Sequence, residues 1–209
     1  MDTESNEKYE VFGTLYEPDG LYNDTLQKVV KGLLEGINLH HGKLDQVKRE
    51  DVLATSDIAP ATLDLYFKSA DQIMSDIYKE LSKIIEQIEY NMGRYKRDSV
   101  IRFLLENLRK QPYMLKVLIA LDDRHFWETH LRSIILYITS PVWWDDEDDI
   151  WNELYEVFCF QFQLVLEWWS VSDFSADHLE DAFRRVKAWV VADSAYRSGL
   201  SFEWPPSDE

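Results

Sequence analysis

Apolar residues recur along most of this chain at intervals of three and four, the spacing that places side chains on one face of an α-helix. The first stripe begins after residue 20 and fades at His40-His41-Gly42. We expect Asn23 or Asp24 to cap this helix. Its core face would consist of Leu26, Val29, Val30, Leu33, Leu34 and Ile37. Alternating strand patterns are scarce, and the 209 residues include only 7 Gly and 6 Pro, so the pattern predicts an all-α fold.

Two short helices are predicted next, over about 48–55 and 59–66, and Pro60 suits the first turn of the second. Ser69-Ala-Asp-Gln72 has the spacing of a capping box and predicts the start of a long helix that ends near Gly93. A short helix, a tight turn, a second short helix and a long helix are the order typical of a helix-turn-helix and its connecting helix.

The rest of the chain predicts further helices, over 98–110, from Pro112 onward, over about 124–139, about 149–169 and about 175–196, the last capped by Ser175. The segment 149–169 is apolar on nearly all sides, which indicates burial on several faces or a place in an oligomer interface. We therefore expect a flexible acidic arm over 1–20, a three-helix helix-turn-helix domain over 21–70, an all-helical dimerisation and ligand domain over 71–198, and a tail over 199–209.

The charge is strongly negative, with a formal net value of -17, but it is unevenly spread. Acidic residues concentrate in 1–20 and in Asp145–Asp149, whereas residues 21–70 hold six basic and seven acidic side chains. The single Cys159 lies in an apolar run, which indicates a buried thiol in a reducing compartment. The N-terminus lacks the features of a leader peptide, and no apolar run is long enough to span a bilayer. We expect a cytoplasmic protein without a membrane partner.

Candidate catalytic and metal chemistry is weak throughout. The pairs His40-His41 and His125/His130 lack ligand spacing, and Asp145–Asp149 lacks the alternating ligands and central Gly of a calcium loop. There is no nucleophile elbow, phosphate loop or dinucleotide turn. We expect no catalytic residues, no metal and no cofactor.

The run Asp57-Ile-Ala-Pro-Ala-Thr-Leu-Asp-Leu-Tyr-Phe67, continued by Lys68-Ser-Ala-Asp71, resembles the recognition segment of the TetR family of transcriptional regulators. That segment commonly reads Gly-Val-Ser-x-Gly-Thr-Leu-Tyr-x-His-Phe and continues x-Ser-Lys with an acidic residue. The matching positions are Thr62, Leu63, Phe67 and Ser69, with Ile58 conservative and Tyr66 an aromatic in place of His. The resemblance covers about 21–196 and is strongest over 50–75.

Four departures fall on the side of the motif that would face DNA. Asp57 stands at the turn Gly, and Ala59 replaces the Ser that caps the recognition helix. Asp64 replaces a Tyr that usually contacts a phosphate, and Ala70 replaces a Lys that commonly reaches one.

The resemblance implies a homodimeric repressor that binds double-stranded DNA at a palindromic operator and responds to a small-molecule effector. It implies DNA contacts by the residues Lys48, Arg49, Pro60, Thr62, Tyr66 and Lys68. The alternative is the same scaffold without DNA binding, acting as a heterodimerising or protein-interaction accessory. A blocked or strongly acidic face over 59–70 would favour that alternative.

Aromatic residues are abundant in the C-terminal part, and in the family this part encloses a ligand pocket, which aromatic rings and carboxylates would suit to a cation. The pocket residues that we expect are Trp127, His130, Phe158 and Phe162. The last two helices of the family usually pair across a dimer. By that resemblance, the dimer interface is predicted to contain Phe158, Leu166, Trp169, Phe183, Val186 and Val190.

Overall fold

The computed structural model describes residues 20–66, 68–139 and 149–197, without the side chains of 20–23, 66, 98, 149–154 and 191–197. Within these residues the chain is all-helical and contains no strand, as the sequence pattern predicted. The helices are α1 (Gly20–Leu39), α2 (Arg49–Thr55), α3 (Pro60–Tyr66), α4 (Ala70–Met92), α5 (Arg97–Leu108), α6 (Pro112–Ala120), α7 (Arg124–His130), α8 (Arg132–Thr139), α9 (Asp149–Ser170) and α10 (Leu179–Arg197). Single 3₁₀ turns lie at Leu44–Gln46 and Ala176–His178.

Several predictions concern residues outside these ranges. They are the acidic arm up to residue 19, the acidic run 145–148 and the tail 199–209. The side chains of Asn23, Tyr66 and Phe67 also lie outside the described residues, as do those of three of the abundant C-terminal aromatic residues, Trp143, Trp144 and Trp151.

The first helix packs its apolar stripe inward and lies unusually close to α2. All six predicted core residues of α1 are buried. Gly32 and Gly36 make the close approach possible, because a Cβ at Gly32 would lie 2.4 Å from the Val52 carbonyl oxygen and one at Gly36 would lie 2.7 Å from Val47. The opposite part of α1 packs against α6, where Gln27 donates a hydrogen bond to Gln111.

The long helix α4 connects α1 to the C-terminal helices. It begins as the capping pattern predicted, since the Ser69 hydroxyl accepts a hydrogen bond from the Gln72 backbone N–H at 3.2 Å. The helical spacing predicts an apolar stripe on it, and this stripe is buried against α1, α5, α7 and α8; its residues are Ile73, Ile77, Leu81, Ile84 and Ile88. The Tyr78 hydroxyl donates to Asp123 in the turn before α7, and the Tyr78 ring stacks on Phe126 with ring centres 5.5 Å apart.

The last two long helices form a pair that also contacts α5. Arg102 on α5 donates to Glu180 at 2.5 Å, and its guanidinium lies 4.7 Å from the centre of the Phe183 ring. The Ser175 hydroxyl accepts from the Asp177 N–H, as a cap of the 3₁₀ turn that precedes α10. The predicted helices over 149–169 and 175–196 thus differ from α9 and α10 only near their ends.

Two predicted helix boundaries are wrong. The first helix starts at Gly20, so Asn23 and Asp24 lie inside its first turns and do not cap it. The single helix predicted over 124–139 is two helices, α7 and α8, separated at Leu131. At this break the Tyr155 hydroxyl donates at 2.6 Å to the Glu128 carbonyl, the oxygen that would accept from the Arg132 N–H in a continuous helix.

Candidate nucleic-acid interface

The connection between α2 and α3 is a tight turn whose shape depends on Asp57. This residue has a φ of +53°, the left-handed region that glycine usually occupies and that Asp tolerates better than most residues. Ser56 is buried before it, and α3 begins at Pro60. Leu63 is completely buried and fixes α3 against the bundle formed with α1 and α2.

The opposite face of α3 is open to solvent. Pro60, Ala61, Asp64 and Leu65 are exposed on it, and the exposed fraction of Leu65 is 78%. Thr62 lies at the margin of this face and is half-buried. The outer face of α3 is therefore mainly apolar, with a single carboxylate among the exposed side chains of this helix.

That carboxylate is paired within the fold. Arg49, the first residue of α2, donates from Nε and Nη2 to Oδ1 of Asp64 at 2.8 and 2.6 Å. Nη2 also lies 3.3 Å from the Pro60 carbonyl oxygen. Arg49 was predicted to contact DNA, but in this structure its guanidinium neutralises Asp64 and holds the start of α2 against α3.

Two further predicted cations remain at the surface. Lys48, the residue before α2, and Lys68, which follows α3, are both exposed. The Lys48 backbone N–H donates to Asp51 at 2.8 Å, and Asp51 also lies 3.0 Å from His40. The Lys48 N–H, and secondly His40, lower the pKa of the Asp51 carboxyl.

At the next helix the chain departs from a phosphate-binding pattern. Ala70 is buried as the first residue of α4 and offers no charge at the surface. The exposed groups near this end of α4 are Lys68, Ser69 and Asp71. Of the positions predicted for DNA contact, Arg49 contacts Pro60 at the start of α3, and Thr62 lies at the margin of the outer face. Lys48 directly precedes Arg49 in the chain, and Lys68 lies two residues after the end of α3. The side chain of Tyr66 lies outside the described residues.

The four residues predicted for a ligand pocket belong to one chain of aromatic contacts. The ring centres of Trp127 and Phe162 lie 5.2 Å apart, and those of Phe158 and Phe162 lie 6.2 Å apart. His130 joins the cluster through Phe126, at 4.6 Å. Burial lowers the pKa of His130, while the negative charge of Glu86 acts in the opposite direction.

Two buried polar atoms near this cluster have no hydrogen-bond partner among the described residues. They are Nε1 of Trp127 and Oε1 of Gln163. Trp127 is completely buried, and Gln163 directs its amide nitrogen to Asp122 at 2.8 Å. An unpaired buried donor or acceptor costs roughly 1–3 kcal/mol, so either atom would gain from a bound polar group.

The predicted dimer interface needs correction. Leu166, Trp169, Phe183 and Val186 are buried in the core of the single chain, and Phe158 and Val190 are partly buried against that core. The first four therefore offer almost no surface to a second copy. Among the described side chains of α9 and α10, the exposed large apolar residues are instead Val157, Phe160, Leu164 and Trp189.

The sequence of α9 contains both the exposed and the buried apolar stripe, but it does not tell them apart. On α9, two stripes have the same helical spacing: the exposed one contains Val157, Phe160 and Leu164, and the buried one contains Tyr155, Cys159, Phe162, Leu166 and Trp169. Since both are apolar, the pattern alone does not indicate which one faces the core. The Phe160 ring lies under Arg124, with the guanidinium 4.7 Å from the ring centre.

A separate surface cavity of about 300 Å³ lies along the C-terminal half of α4. It is lined by Lys83, Glu86, Gln87, Tyr90 and Asn91.

None of the described helices is both long and apolar enough to cross a membrane. The chain matches no family model, no curated protein and no solved structure.

Proposed function

We propose that this protein is a TetR-like transcriptional regulator, a repressor in which α2, the turn at Asp57 and α3 form a DNA-binding helix-turn-helix. The observation that carries the proposal is the orientation of α3. Leu63 fixes one side of this short helix in the bundle, while Pro60, Ala61, Asp64 and Leu65 face solvent. A second helix held by its inner side and free on its outer side is what entry into a major groove requires.

The Arg49–Asp64 pair supports the proposal against its strongest objection. An isolated carboxylate on a recognition helix would repel phosphates. Here both Arg49 contacts reach the same Asp64 oxygen, so the pair adds no net charge to the surface. Lys48 and Lys68 then provide positive charge close to α3 for the DNA backbone.

The same proposal includes a homodimer formed through the exposed apolar residues of α9 and α10. An exposed apolar stripe on a helix is typical of a protein interface.

The proposal also includes a small-molecule effector that binds near the aromatic cluster. The indole N–H of Trp127 has no hydrogen-bond partner in the described part of the chain, which supports an effector with a hydrogen-bond acceptor. The buried thiol of Cys159, whose pKa burial raises to about 12, fits a cytoplasmic protein.

The test is a selection of bound sequences from a random DNA pool by the full-length protein at low salt. We expect enrichment of one palindromic motif, with affinity that falls steeply as salt rises. A Lys48→Ala/Lys68→Ala variant should lose affinity uniformly across sequences. A Lys79→Ala/Lys110→Ala variant, changed at exposed lysines outside this surface, should bind as the wild type does. Absence of enrichment of any sequence would contradict the proposal.

A second function on the same scaffold is favoured by one observation. The outer face of α3 is apolar, and Arg49 is engaged within the fold, so this face also suits a protein partner. In that function the chain would heterodimerise with a related regulator and would not bind DNA itself. Failure of the DNA selection, together with mixed dimers formed with a DNA-binding regulator of the same host, would support it.

A further inference from the structure

The outer face of α3 carries a definite set of chemical groups, and this set limits which bases the helix can read. Among the described side chains, it exposes Pro60, Ala61, Asp64 and Leu65, with Thr62 at the margin. In the major groove, guanine is read best by Arg or Lys, and adenine by Asn or Gln. None of these residue types occurs in α3.

Arg49 is the nearest guanidinium, and its position argues against a guanine contact. It directs Nε and Nη2 to Asp64 and the Pro60 carbonyl, so these N–H groups are already used within the fold. The Asp64 carboxylate is 59% exposed. A carboxylate only accepts hydrogen bonds, so it cannot pair with N7 and O6 of guanine, which are both acceptors.

Apolar groups are what this face does offer. Leu65 is 78% exposed, and Ala61 lies one helical turn before it. The 5-methyl group of thymine is the apolar feature of the major groove, and alanine, threonine methyl and larger apolar side chains contact it. Burial of Leu65 against such methyl groups would remove apolar surface from water.

We propose that α3 recognises its operator chiefly through the methyl groups of thymines, contacted by Leu65 and Ala61. The proposal rests on the proposed DNA-binding function and specifies what that surface reads. Positive charge from Lys48 and Lys68 would orient the helix on the backbone, and the methyl contacts would supply sequence preference.

The test uses the full-length protein and the duplex enriched from a random pool. Each thymine is replaced in turn by deoxyuridine, which pairs identically but lacks the methyl group. We expect affinity to fall about fourfold at each contacted thymine, the effect of removing one buried carbon group. Deoxyuridine at flanking positions should have no effect.

Variants of the protein assign the contact to its side chain. In Leu65→Ala, deoxyuridine should no longer reduce affinity at the thymine that Leu65 contacts, because that methyl group has lost its partner, and it should still reduce affinity at a thymine contacted by Ala61. Leu39→Ala, which shortens an exposed leucine on α1, should retain the full response to deoxyuridine.

The outcomes separate this inference from the function on which it rests. Enrichment of a motif in which deoxyuridine has no effect at any position would overturn the thymine reading and leave DNA binding intact. An equal response to deoxyuridine in the wild type and in Leu65→Ala would overturn the role of Leu65. No enrichment at all would overturn both proposals.

Discussion

The Arg49–Asp64 pair decides how much charge the outer face of α3 presents. Both residues are partly exposed, so the pair contributes little to stability, since exposed ion pairs are worth about 0–1 kcal/mol. In the proposed DNA-binding function its effect would be larger, because the same contacts neutralise a carboxylate and occupy a guanidinium. Sequence reasoning identified both residues but treated Arg49 as free and Asp64 as a repelling charge. A contact across 15 positions is visible only when α2 and α3 are folded together.

We predict that Asp64→Asn raises DNA affinity, because it removes a negative charge and frees Arg49 for the phosphate backbone. The slope of log affinity against log salt should steepen by about one, the value expected for one additional phosphate contact. A salt series of binding isotherms on the selected duplex measures this. Glu35→Gln, which removes an exposed carboxylate on α1, is the control, and an equal gain in that variant would show a nonspecific charge effect.

Asp51 leads to a prediction about pH. Its pKa is lowered in the folded protein, chiefly by the Lys48 backbone N–H and next by His40. A group with a lowered folded-state pKa adds stability above its unfolded value of 3.8, and this stability is lost as the pH falls through the folded-state value. Wild type should therefore have a higher Tm than Asp51→Asn at pH 7, and the two should converge under acid conditions.

Thermal melts of both proteins between pH 7 and pH 3 would measure the convergence. Asp45→Asn controls for the loss of an exposed carboxylate in the same region. A Tm difference between wild type and Asp51→Asn that stays constant down to pH 3 would contradict the assignment.

Among the helices, α1 packs closely against α2 at Gly32 and against Val47, which precedes α2, at Gly36. The close packing leaves no room for a Cβ at Gly32, which would lie 2.4 Å from a backbone oxygen that cannot move independently of α2. This contact sets the position of α2, and hence of Arg49 relative to α3.

Gly32→Ala should therefore destabilise the protein by about 1–3 kcal/mol, the usual cost of overpacking a close contact. Denaturant unfolding measures the change. Gly93→Ala is the matched control, because nothing lies within 4 Å of its Cβ position and its φ of -61° suits alanine. That control should be neutral or stabilised by about 0.4–1 kcal/mol. If the two variants were equally stable, the close approach of α1 and α2 would not be required.

The helices also show where sequence patterns stop being informative. The stripe of α4 and its Ser69 cap were predictable, because helix periodicity and capping depend on residues near one another in sequence. The break between α7 and α8 was not, since the carbonyl of Glu128 at the break accepts from the Tyr155 hydroxyl, 27 positions away in the sequence. The same limit applies to α9. Because this helix is apolar on nearly all sides, its sequence does not indicate which stripe packs against the core of its own chain and which stays exposed.

For the whole molecule, the exposed stripe on α9 is the strongest indication of self-association. Val157, Phe160 and Leu164 are between 37% and 50% exposed and share one helical face. Leu164→Glu should convert the protein from dimer to monomer, because a carboxylate without a partner is costly to bury in an interface. Sedimentation equilibrium at micromolar concentration measures this, with a circular dichroism melt to show that the fold is retained.

Leu39→Glu is the control, since it places the same charge at an exposed leucine of α1, and it should remain dimeric. A monomeric wild type, or a Leu164→Glu variant that still dimerises, would contradict the α9 interface.

The oligomeric state of Leu164→Glu also bears on DNA binding. A palindrome is read by two recognition helices held at a fixed spacing, so a folded Leu164→Glu monomer should bind the selected duplex far more weakly than the wild type does. Equal binding by the monomer would mean that each α3 acts alone.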